Sequence, residues 1–185
     1  MESLTGSELE KLVVERGLEY RKAKQAHISR CGVQAVRTKD EWQVIPSLPD
    51  FEGVDWVGHQ FIFDCKVCSQ ASFDLSKYRS DVKGARSRQL RHMLERAEFG
   101  VRCCFLLHWN ERAGKTFRLP AETFAFPISG RMEFWQAFER GEIRSITRED
   151  CGELGIRVEW STLGAGRKPR PGFLAAIEKM GVGLR

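Results

Sequence analysis

PDFEGVDWVGHQFIFDCK, residues 49–66, sets carboxylates and a lysine around an apolar run. From Gln60 to Cys68 the pattern reads as a strand, in which successive side chains point to opposite faces. Phe61, Phe63, Cys65 and Val67 then share one face; Ile62, Asp64, Lys66 and Cys68 share the other. Charges on the buried side of a strand need each other or a ligand. Asp50 precedes the strand by the length of a hairpin, so it can return beside Asp64. Adjacent carboxylates repel, and a divalent cation relieves the repulsion. Oxygen ligands without a histidine cluster favour Mg²⁺ or Mn²⁺. Such an ion would activate a water and hold a phosphodiester, while the Lys66 ammonium orients that water or neutralises developing charge. Taken alone, the short pattern fits better with an ion pair at a strand end and a turn-capping Asp50, because short motifs recur by chance.

The chain has 185 residues, the size of one compact domain. Its 42% hydrophobic and 30% charged content suits a globular protein with a real core. A net charge of +5 allows an anionic partner without demanding one. No apolar run approaches the length of a membrane span. The start, MESLTGSELEKL, lacks the cationic and apolar segments of a signal peptide, so a cytoplasmic location with no membrane partner is expected. The six cysteines are then expected as reduced thiols, with Cys65, Cys103 and Cys104 buried. Cys65 and Cys68 do not make a zinc half-site: no second pair follows at suitable spacing, and on a strand they face opposite ways.

Ser7 and Glu10 suggest a capping box opening a first helix. Leu9, Leu12, Val13, Tyr20, Ala23, His27 and Cys31 continue at helical spacing, with Gly17 a break or close-packing point and Gly32 a stop. VQAVR and WQVIP read as short strands. DLSKYRSDVKGARSR reads as a basic loop or broken helix, and RQLRHMLERAEF as an amphipathic helix. VRCCFLLHW is apolar enough for a strand covered on both faces. A strand within KTFRLPAETFAF, a helix MEFWQAFERG and a short strand GIRVEW complete a mixed α/β order. The expected division is a domain over 1–160 and a basic C-terminal tail over 161–185, with a short terminal helix.

The order of segments adds a resemblance. The stretch matches the PD…(D/E)xK pattern of restriction-endonuclease-like nucleases. More narrowly, residues 15 to 160 resemble the RecU-type Holliday junction resolvases, also described as penicillin-binding-protein-related factor A. The counterparts are Asp50, Phe51, Gly53 and Val54, then Asp64 and Lys66, then Ser72, Phe73 and Leu75, then Gln89, His92 and Met93. GEIRSI, residues 141–146, is similar to the family's Arg-Lys-Ser-Ile stretch, with Arg144 where the lysine stands. The resemblance implies a restriction-endonuclease-like core, a mixed central sheet flanked by helices, and a homodimer acting on branched double-stranded DNA with Mg²⁺ or Mn²⁺ and no organic cofactor. It implies metal contacts from Asp50, Asp64 and the Cys65 carbonyl, Lys66 as the catalytic lysine, Gln89 near the site, and a helix-one glutamate that assists with the metal. That glutamate is placed at Glu19, with Glu15 as rival. One departure is the short segment before Asp50, RTKDEWQVIPSLPD, where the family carries a longer stalk. The stalk is expected to be shortened or absent.

Residues 77–102 hold Lys77, Arg79, Lys83, Arg86, Arg88, Arg91, Arg96 and Arg102 against only Asp81, Glu95 and Glu98. Lys77 to Arg91 are candidate DNA contacts, since phosphate contacts release counterions; a solvated helix face is the plainer alternative. Arg167, Lys168 and Arg170 are equally balanced between DNA contact and an idle tail. Trp56 is the best candidate for an exposed aromatic; Trp109 fits the core. The expected function is a metal-dependent, structure-selective endonuclease that resolves four-way junctions by paired symmetric nicks. The alternatives are a nuclease for other branched or nicked DNA and a non-catalytic DNA-binding recombination protein.

Overall fold

The computed structural model describes residues 3–31, 34–37, 42–45, 49–80, 84–114, 118–161 and 169–183. In chain order the elements are α1 (Gly6–Lys22), β1 (Ala26–Arg30), β2 (Gln34–Arg37), β3 (Trp42–Ile45), β4 (Phe51–Asp55), β5 (Gln60–Cys68) and β6 (Ser72–Asp74). Then follow α2 (Ser76–Ser80), α3 (Ala85–Glu98), β7 (Arg102–Trp109), β8 (Arg112–Ala113), β9 (Arg118–Leu119) and β10 (Glu122–Ile128). The chain continues through α4 (Glu133–Arg140), β11 (Ser145–Thr147), α5 (Arg148–Leu154), β12 (Ile156–Arg157), β13 (Trp160–Ser161), β14 (Arg170–Pro171) and α6 (Phe173–Gly183).

Six strands form one mixed sheet in the order β1-β4-β5-β7-β10-β12. β5 and β7 run parallel; the other neighbours are antiparallel. The parallel pair requires a crossover, which α2 and α3 supply. β7 sits centrally, and its alternation feeds both faces. Cys103, Phe105, Leu107 and Trp109 join Leu90, Met93, Trp135 and Phe138 on one side. Cys104 and Leu106 join Leu9, Val13, Phe173 and Ile177 on the other. The architecture is therefore a mixed α/β sandwich, with α1 and α6 on one face and α2 to α5 on the other.

Three expectations need correction. The helix cap is Thr5 with Glu8, whose amide donates to Thr5 Oγ1 at 3.3 Å while Glu8 accepts the Thr5 amide at 2.8 Å, so Ser7 and Glu10 do not form the box. The first helix stops at Lys22, and Lys24 turns the chain at φ 56°, instead of continuing to Cys31. Ala26–Arg30 becomes a strand because all five residues pair with β4, a long-range bond set that local spacing does not reveal. Within α1, Gly17 is a close-packing point: a Cβ there would stand 3.4 Å from Ile28 on β1.

The third correction concerns the segment 161–185. Residues 162–168, including Arg167 and Lys168, lie outside the described residues. The rest is not a detached tail, because α6 buries Phe173 and Ile177 completely against the sheet. Arg16 is only 3% exposed and donates to the Ser161 carbonyl at 2.8 Å and the Arg170 carbonyl at 2.9 Å, fastening β13 and β14 to α1. β2 and β3 form their own two-stranded ladder, apart from the main sheet. All six cysteines are free, and Cys65 and Cys68 lie in the clusters on opposite faces. No helix among the described residues is long and apolar enough to cross a membrane.

Candidate active site

The β4–β5 hairpin fixes the site through its register. Its tip is held by Asp55, which accepts the Val57 amide at 3.0 Å, the His59 amide at 2.8 Å and Arg102 Nη1 at 3.2 Å. Burial would raise the Asp55 carboxyl, but the bonds from His59 hold it below the usual carboxylate range. Gly53 lets the strand pass under its neighbours: a Cβ there would sit 2.7 Å from the His27 carbonyl and collide with the Phe61 ring. The pairing runs Val54 with Gln60, Gly53 with Phe61, Glu52 with Ile62 and Phe51 with Phe63. One step further, Asp50 stands opposite Asp64.

Backbone alternation gives that position its character. The Asp55 amide bonds the His59 carbonyl at 3.0 Å, so alternate pairs from there are hydrogen-bonded. Asp50 and Asp64 fall on a non-hydrogen-bonded pair, where side chains approach most closely. The next position opposite Cys65 is Pro49, which has no amide to offer the Cys65 carbonyl. The Cys65 amide instead donates to Asp50 Oδ2 at 2.8 Å. Because the amide and carbonyl of one strand residue point to the same edge, the Cys65 carbonyl also faces Asp50.

Asp64 is fully buried. Its Oδ1 accepts Gln89 Nε2 at 2.7 Å and the Asp50 amide at 3.3 Å. Its Oδ2 faces Lys66 Nζ at 2.5 Å and otherwise has no hydrogen-bond donor among the described residues. Burial pushes the Asp64 carboxyl up to about 7; Lys66 opposes that rise and Asp50 adds to it. Burial pulls the Lys66 ammonium down, but Asp64 outweighs it and holds Lys66 well above its ordinary value. Lys66 is thus a cation at neutral pH and a hydrogen-bond donor, not a base.

The helix-one carboxylate at this end is Glu10. α1 runs antiparallel to β1, and Glu10 pairs with Arg30, which lies opposite Phe51 in the ladder. The Cys65 thiol is pushed up by burial and then by Asp50, Asp64 and Glu10. Glu19 and Glu15 are not brought to the site. Both bind Arg170, Glu15 at 2.9 Å, and Glu19 also binds Arg16 at 3.1 Å. Nine residues of helix separate Glu19 from Glu10, a rise of about 13 Å.

Asp50, Asp64, the Cys65 carbonyl, Lys66 and Gln89 therefore converge. Among the described residues no three His, Cys, Asp or Glu side chains form a closed metal cage. Paired carboxylates, one with a buried oxygen met only by Lys66 among the described residues, fit a hard ion that completes its shell with solvent and phosphate, which is how Mg²⁺ binds. Lys77, Arg86, Arg88 and Arg91 are exposed, and Lys83 lies outside the described residues. Arg79 is exposed too, and its guanidinium lies over Gly141, where a Cβ would collide with it. Trp56 is 73% exposed but sits at the hairpin tip, about 20 Å along the chain from Asp50. Trp109 is buried, as expected. The GEIRSI stretch meets the Ser-Phe-x-Leu stretch directly, with Ile146 opposite Phe73 and Thr147 opposite Ser72.

Among solved structures, Hjc of Archaeoglobus fulgidus is similar. Hjc is a Holliday junction resolvase from an archaeal hyperthermophile; the match has 16% identity and a TM-score of 0.42, and covers 80% of this chain and 93% of Hjc. No protein-family model matches the chain, RecU included, and no curated protein matches it. At that similarity no chemistry transfers from Hjc, and this chain's chemistry has to be read from its own residues.

Proposed function

We propose that this protein is a metal-dependent, structure-selective DNA endonuclease that resolves four-way junctions by paired symmetric nicks. The observation that carries the proposal is the opposed Asp50–Asp64 pair, with Asp64 Oδ2 bonded, among the described residues, by no group except Lys66. A structural ion pair has no use for a second carboxylate pressed against the first, because like charges disfavour each other.

In this reading Asp50, Asp64 and the Cys65 carbonyl hold Mg²⁺ or Mn²⁺, with Glu10 nearby. The ion supplies Lewis acidity and a bound water of lowered pKa. Gln89 keeps the Asp64 carboxylate aimed by holding Oδ1. Lys66, charged throughout, donates to the phosphate oxygen on which negative charge grows and aligns the attacking water. Lys77, Arg86, Arg88 and Arg91 hold the phosphodiester backbone without reading sequence. A homodimer would present two identical sites to a two-fold substrate.

The small β2–β3 hairpin supports a second reading, a nuclease for branched DNA without junction preference, since its strands are only four residues each. Cleavage of a four-way junction, a flap, a nicked duplex and a linear duplex in Mg²⁺ separates the two. Paired symmetric nicks confined to the junction support resolution. Equal cutting of all four would sink it in favour of the broader activity. Junction binding without any cutting would leave only a DNA-binding role.

A further inference from the structure

Tyr78 carries a buried polar group that the chemistry above does not use. Its side chain is 4% exposed, and its hydroxyl has no hydrogen-bond partner among the described residues. A buried hydroxyl left unsatisfied is costly, so its retention calls for a reason. Its backbone is pinned, with the amide bonded to the Leu75 carbonyl at 2.9 Å and the carbonyl accepting Ser87 Oγ. The ring packs edge-on against Phe73 at 5.9 Å and Phe105 at 5.6 Å. Phe105 is the register partner of Asp64 on the adjacent parallel strand, and Lys66 follows on the same face. The tyrosine therefore packs on the face of the sheet that carries Asp64 and Lys66.

We propose that Tyr78 is a positioning residue for Lys66: its hydroxyl oxygen accepts the Lys66 ammonium when a divalent ion takes over Asp64 Oδ2. In the metal-free protein Lys66 Nζ occupies Asp64 Oδ2 at 2.5 Å. An ion bound there must displace the ammonium, and because the Lys66 side chain is 25% exposed the displaced group can turn to solvent or to another acceptor beside it. Among the described residues the Tyr78 oxygen is an unsatisfied acceptor on the same face. No proton is transferred and neither group changes charge; the hydrogen bond moves from one oxygen to another. Held there, the ammonium points toward substrate instead of competing with the ion. This role rests on the metal-nuclease reading.

The test is Mn²⁺ binding without DNA, measured calorimetrically on wild type, Tyr78→Phe, Lys66→Ala and the double variant, with thermal unfolding alongside. Tyr78→Phe is expected to weaken Mn²⁺ binding by about tenfold, the scale seen when a group supporting a metal site is removed. It should not lower Tm, because phenylalanine keeps the packing and discards an unsatisfied hydroxyl. In the Lys66→Ala background the tyrosine change should have no further effect, since the competing ammonium is gone. On DNA, Tyr78→Phe should lower kcat at unchanged KM. Equal Mn²⁺ affinity in wild type and Tyr78→Phe, or a loss that persists without Lys66, overturns the role while leaving the nuclease reading intact. Failure of wild type to bind Mn²⁺ at all overturns that reading, and the tyrosine role with it.

Discussion

The Asp50 carboxylate accepts the Cys65 amide at 2.8 Å and stands opposite Asp64 at the open end of the β4–β5 ladder. One side chain thus both terminates a sheet and forms half of a charged pair.

These roles separate by substitution. Asp50→Asn keeps an oxygen for the Cys65 amide and removes the repulsion with Asp64. The metal-free variant should melt no lower than wild type, yet fail to cut. Asp50→Ala strands the amide and should cost about 1–3 kcal/mol, or roughly 2–12 °C in Tm for a chain of this size. Scanning calorimetry in chelator checks both.

The raised Asp64 carboxyl predicts opposite pH trends for stability and metal uptake. Its folded value of about 7 lies above the ordinary 3.8, so its contribution to metal-free stability is complete below 3.8 and is lost as pH rises through about 7. Cation binding requires the carboxylate, so Mn²⁺ affinity should climb by up to about tenfold per pH unit below 7 and level off above it. Comparing wild type with Asp64→Asn across this range isolates the group; identical pH profiles of Tm would contradict the assignment.

Glu10 and Glu19 should behave differently despite sharing a helix. Glu10→Gln is expected to slow cleavage with little change in Tm. Glu19→Gln loosens the contacts with Arg16 and Arg170; breaking a largely buried ion pair by removing one partner costs up to about 3–5 kcal/mol. It should lower Tm and leave the cleavage rate of folded protein unchanged.

The exposed arginines on α3 should act through salt. Arg88→Ala combined with Arg91→Ala should flatten the plot of log affinity against log salt by about two units, one per lost phosphate contact. The loss should be the same for any DNA sequence.

Legibility in the sequence followed how local each signal was. β7 could be read because VRCCFLLHW is apolar on both faces, and Asp64 with Lys66 because strand alternation places them together. β1 could not, since AHISR continues the helical spacing and is defined only by its ladder with β4. Glu10 was hidden behind a plausible cap, which the structure gives to Thr5 and Glu8. Glu19 looked available because Arg170, its partner, lies 151 residues away. The packing of α6 was masked by the glycine- and proline-rich run before it. The role of Pro49 emerges only once the register opposes it to Cys65.

The most direct measurement is cleavage of a labelled four-way junction in Mg²⁺ by wild type, Asp64→Asn and Lys66→Ala, with junction binding and Tm recorded for each. The account predicts paired nicks by wild type alone, abolished by chelator, with both variants folded and still bound to the junction. Cleavage by Lys66→Ala at the wild-type rate, or by wild type in chelator, would contradict it.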